Sequence, residues 1–136
     1  MRLVTRVSIL VCLLLLPATV NSRAHAEDHF SVKEYNEFHD VLRPLQHEAL
    51  PSKDFQRIRT NAAELVKRGK AIVQVGLPNG TPSKDQEAFR KELKKFEGAL
   101  GDFSKHAQDG TDAQLAASFS AVHDSFETLA EMLPRK

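Results

Sequence analysis

Six histidines, at positions 25, 29, 39, 47, 106 and 123, offer most of the chemistry in this 136-residue chain. Imidazole is a ready ligand for zinc, copper, nickel and haem iron. His39 and His123 fall near the middle of two separate apolar-periodic segments, each directly after a seam residue, Phe38 and Val122. That shared offset places both on the flank of a core, within reach of each other if the two segments lie side by side. Ala116 and Ala130 stand one heptad either side of His123, which leaves room beside it for a ligand. The plainer alternative is a half-buried packing residue paired with Asp124 or Glu127.

A second grouping is His47, Glu48 and His106, which the helix pattern below brings to one end of the molecule. Nitrogen and carboxylate donors of this kind suit zinc, copper or nickel. Against that stand two solvated histidines, well placed beside the C-terminal dipoles of their helices. The third is His29. Cleavage after Ala26 makes it the third residue of the mature chain, where terminal amine, two amide nitrogens and imidazole form a square-planar set for Cu(II) or Ni(II). Cleavage after Ala24 removes that arrangement.

Catalytic motifs are missing. The chain has no nucleophile elbow, phosphate loop, zinc-protease helix or recognisable pair of catalytic carboxylates. Ser118, Ser120 and Ser125 lie near His123, yet a helix interior with paired amides supplies no oxyanion hole. The expectation is a protein that is not an enzyme.

The elements that must position these residues begin after an export signal. Arg2 and Arg6, the apolar run Val7 to Leu16, and Pro17 have the layout of a cleavable signal peptide, too short to span a bilayer. Ala24-His25-Ala26 is the preferred cleavage site, giving a signal peptide at 1–26 and a single domain at 27–136. A periplasmic or secreted location follows, with no stable membrane anchor after cleavage. The only cysteine, Cys12, leaves with the peptide, so disulfides, thiolate metal sites and thioether haem are excluded from the mature chain. Arg2, Arg6 and Arg23 leave too, and 19 basic against 18 acidic residues become 16 against 18, a formal −2. A faintly acidic domain with one Tyr and no Trp lacks the basic, aromatic surface of a nucleic-acid binder.

Apolar residues then recur at alternating steps of three and four, the seam of a bundled helix. Four seams are present: Tyr35, Phe38, Leu42, Leu45, Ala49; Phe55, Ile58, Ala62, Leu65, Gly69, Ile72; Phe89, Leu93, Phe96, Leu100, Phe103, Ala107; and Leu115, Phe119, Val122, Phe126, Leu129, Leu133. Ser52 is the expected N-cap of the second helix, and Ser83 with Gln86 and Thr111 with Gln114 have capping-box spacing. Pro44 predicts a kink or break near Val41. Short connections predict an all-α, antiparallel, up-down-up-down four-helix bundle.

The stretch Phe119-Ser120-Ala121-Val122-His123-Asp124-Ser125-Phe126 resembles the last helix of the cytochrome c′ family, where Cys-x-x-Cys-His is followed by an acidic and an aromatic residue. Phe119 and Val122 stand at the cysteine positions and His123 at the axial-ligand position. The resemblance implies a cytochrome c′-like or soluble b-type bundle holding haem non-covalently, with His123 and His39 as axial ligands and Phe38, Phe96, Phe119 and Phe126 lining the cleft. The expected function is therefore binding of a transition metal ion or non-covalent haem, in a carrier, sensor or electron-transfer role. The alternative is a ligand-free helical module that binds a protein partner or exposed clients in the envelope. A homodimer is compatible with such a bundle, although no exposed apolar stripe argues for one.

Overall fold

The computed structural model describes residues 29–134; the expected export signal at 1–26 lies outside them, as do Glu27, Asp28, Arg135 and Lys136. Among the described residues the fold is all-helical: α1 (Lys33–Pro44) continued by a π turn (Leu45–Ala49), α2 (Phe55–Val75), α3 (Gln86–Asp109) and α4 (Asp112–Glu131). Helix α3 packs on α4, α1 on α2 and α2 on α3, with a lighter contact between α2 and α4. No helix among the described residues is long and apolar enough to cross a membrane.

The four seams form one core. All five seam residues of α1 and its π turn are buried, as are all six from Leu115 to Leu133. Phe55 and Ala107, at the ends of the second and third seams, and Leu93 within the third are only partly covered. Burial of this apolar area is the main stabilising term in a fold whose described residues include no cysteine. Gly69 has a steric reason: a Cβ there would sit 2.5 Å from the Leu100 side chain, so its absence lets α2 and α3 approach closely. Gly76 ends α2 at φ 66°, a conformation that residues with a Cβ rarely adopt.

Three local expectations need correction. Of the kink or break expected near Val41, the break does not occur: the helix runs through Val41 to Pro44. Pro44 has no N–H to donate, and the following turn widens instead: the amide of Leu50 donates to the Leu45 carbonyl, five residues back, at 2.9 Å. A π turn relieves a locally disturbed hydrogen-bond ladder without ending the helix. Ser52 is not the cap of α2. Its hydroxyl donates to the Glu48 carbonyl, and Asp54 accepts from the Arg57 amide at 3.0 Å, after Lys53 has turned the chain at φ 57°. The Ser83 capping box is also absent, because Gln86 reaches back to the Thr81 carbonyl. The Thr111–Gln114 box forms with both of its bonds.

Candidate functional site

Between α1 and α4 the helices part around a groove of about 290 Å³. Helix α1 and its π turn contribute His39, Arg43 and His47, and α4 contributes His123, Glu127 and Glu131. His39 and His123 are brought to the same groove because each follows a buried seam residue, Phe38 or Val122. His47 joins them from the π turn. It is solvent-exposed, yet it borders the same opening.

Each histidine is differently held. The His123 ring, 17% exposed, lies between two carboxylates, with Nδ1 3.3 Å from Asp124 and Nε2 3.3 Å from Glu127. The His39 ring is stacked on Phe126, 6.1 Å between centroids and 16° from parallel. Phe30 stands perpendicular to both rings, 5.5 Å from His39 and 5.7 Å from Phe126. Gln46 also lines the groove, and its buried Oε1 accepts no hydrogen bond among the described residues.

The second expected grouping is separated. Glu48 pairs with Arg57 at 2.9 Å and shares a small hollow with His47, whereas His106 lines neither that hollow nor the groove. His106 lies where Arg59 closes the α3–α4 connection. The Arg59 guanidinium donates to the carbonyls of His106, Ala107 and Gly110 and to the Asp112 carboxylate, at 2.9–3.0 Å. His47, Glu48 and His106 thus form no three-ligand group, and no three His, Cys, Asp or Glu side chains among the described residues converge closely enough to hold a metal ion. His29 is described, but the two residues that would complete its square-planar set are not.

The residues implied for haem are packed on one another. Phe38 lies 5.4 Å from Phe96 and 4.8 Å from Phe126, while Phe119 and Val122 are fully buried. These rings fill the space between the helices that a porphyrin would need. The residues present do not fit a haem.

Away from the groove, Arg68 on α2 bridges Glu37 on α1 at 2.8 Å and Glu64 at 2.7 Å. Hydrogen bonding by Lys33, aided by the charges of Lys33 and Arg68, lowers the Glu37 carboxyl below its ordinary value. Bonding by Arg68 does the same for Glu64. Burial pushes the Tyr35 phenol up, and its hydroxyl makes no hydrogen bond among the described residues.

Reading the sequence for histidines missed Phe30, Asn36, Arg43, Gln46 and Glu131. Phe30 carries one signal, an aromatic just ahead of a helix whose N-cap residue, Val32, has no capping side chain. Comparison with protein-family models, with curated proteins and with solved structures finds no match for this chain.

Proposed function

We propose that this chain is an exported, up-down-up-down four-helix bundle that takes up a transition metal ion at the α1–α4 groove, through His39 and His123 with His47 at the rim, in a carrier or sensor role. The antiparallel order is supported by cross-links between opposite ends of sequential helices. Arg68, late in α2, reaches Glu37 early in α1, and Arg59, early in α2, reaches the end of α3.

The observation behind the metal reading is that three of the six imidazoles border one groove together with Glu127 and Glu131, although no three of these side chains converge as they stand, so uptake requires them to move. Imidazole and carboxylate without thiolate is a donor set for zinc, copper or nickel. Loading requires the His123 ring to turn from Asp124 and Glu127, so both carboxylates compete with the ion. That competition predicts modest affinity. Haem is set aside because the aromatic core already occupies its space.

The test is a calorimetric titration of the metal-free chain with zinc, copper and nickel. His39→Ala and His123→Ala should each weaken binding of the preferred ion by at least about tenfold, the scale on which even outer-shell changes act. Equal affinities in the parent and both variants would overturn the reading.

A further inference from the structure

The segment ahead of α1 forms part of the groove wall through Phe30, held there by one side chain of the helix itself. Asn36 holds Phe30 through that residue's own main chain: Oδ1 accepts from the Phe30 amide at 2.7 Å and Nδ2 donates to the Phe30 carbonyl at 3.0 Å. Exchange of both bonds with one residue is how a β-strand reads its neighbour, and here one carboxamide does it. Nδ2 also donates to the carbonyl of Val32, a residue in extended conformation, at 3.2 Å. The Phe30 ring meanwhile packs perpendicular to the stacked pair of His39 and Phe126, and also meets Tyr35 at 6.3 Å. Main-chain bonds that ignore sequence and one pocket that selects a side chain are the two halves of extended-peptide recognition.

We propose that Asn36, His39 and Phe126 form a subsite for an aromatic residue in an extended segment of another polypeptide, and that Phe30 occupies it in cis until displaced. The occupant follows from what sits there now, an aromatic side chain whose main-chain N–H and C=O are both bonded by Asn36. Exchange requires only residues 29–31 to move, since Val32, whose carbonyl accepts from the Tyr35 amide at 3.2 Å, can stay as the N-cap of α1. The cis strap competes at an effective concentration in the millimolar range, which keeps the subsite closed to weak binders. None of this depends on metal binding, although metal and peptide would share His39.

The experiment uses the full chain carrying Phe30→Ala and a fluorescent, end-blocked peptide Asp-His-Phe-Ser-Val, read by anisotropy. Saturable binding is expected. It should weaken by at least about tenfold when Ala replaces Phe in the peptide or when Asn36→Ala is added to the protein, and the parent chain should bind less tightly than Phe30→Ala. Absence of binding by a Phe30→Ala chain with intact helical circular dichroism overturns the proposal, as does equal binding of the Ala-containing peptide. If Phe30→Ala does not fold, Asn36→Leu in the parent provides the second arm. It should remove hydrogen-exchange protection from the Phe30 amide while leaving α3 and α4 amides protected, and a still-protected amide refutes the cis contact. A parent chain that dimerises, and loses dimerisation with Phe30→Ala, overturns the partner in favour of a second copy.

Discussion

Helix α4 has two different sides. Against α3 it presents a closed seam: Phe103 and Phe119 meet at 5.7 Å, both fully buried, and the buried Ser125 hydroxyl donates to the Glu92 carboxylate at 2.7 Å. Against α1 it meets Phe38 through Phe126 at 4.8 Å and beside that contact leaves a groove bordered by imidazoles, an arginine and carboxylates, with Phe30 in its wall. The first side is built for stability and the second is where an occupant can enter. Ionisable side chains border the second side, whereas the carboxylate on the first, Glu92, is held by Ser125 and Lys95, since an unpaired buried charge costs several kcal/mol.

The largest effect that tests this contrast is Phe103→Ala, which should cost about 3–5 kcal/mol in urea unfolding, as truncation of a fully buried ring does. Ser125→Ala should cost about 1–3 kcal/mol, because it withdraws a donor from the Glu92 carboxylate, whose side chain is only 16% exposed. Phe30→Ala should cost no more than about 1.5 kcal/mol, since the ring is partly exposed and its loss opens a groove rather than a closed cavity. A cost for Phe30 equal to that for Phe103 would show that the groove is core and not a site.

Arg68→Gln gives the smallest effect, and its signature is the pH at which it disappears. Glu37 and Glu64 are depressed in the folded state below 4.5, so their contribution is complete above that value and is lost as pH falls through the folded pKa values. The parent should be slightly more stable than Arg68→Gln near neutrality, and the difference should shrink to nothing in acid. A difference that grows as pH falls would contradict this ion-pair assignment.

Much of the architecture was legible in the chain. Alternating steps of three and four identified all six buried residues of the α4 seam, since a helix has one face to bury and repetition along it reveals which. The Thr111–Gln114 box was equally readable, being a contact between residues three apart. Ser52 and Ser83 failed as caps because several polar residues adjoin each helix start, and the turn geometry chose among them: Lys53 in the left-handed region hands the first cap to Asp54.

For the site, the sequence by itself determined that His39 and His123 flank the seam, because that depends only on their offset from Phe38 and Val122. The plainer alternative for His123, a largely buried ring paired with Asp124 or Glu127, was equally readable from local spacing and both pairings form. Only the tertiary structure decided that His47 borders the same opening while His106 does not, and that Phe30 packs against His39. Helical periodicity fixes direction around an axis to within a fraction of a turn. Which helices part, how a π turn re-aims the residues after Pro44, and where an irregular segment lies depend on distances between elements, and those are set by how the whole core closes.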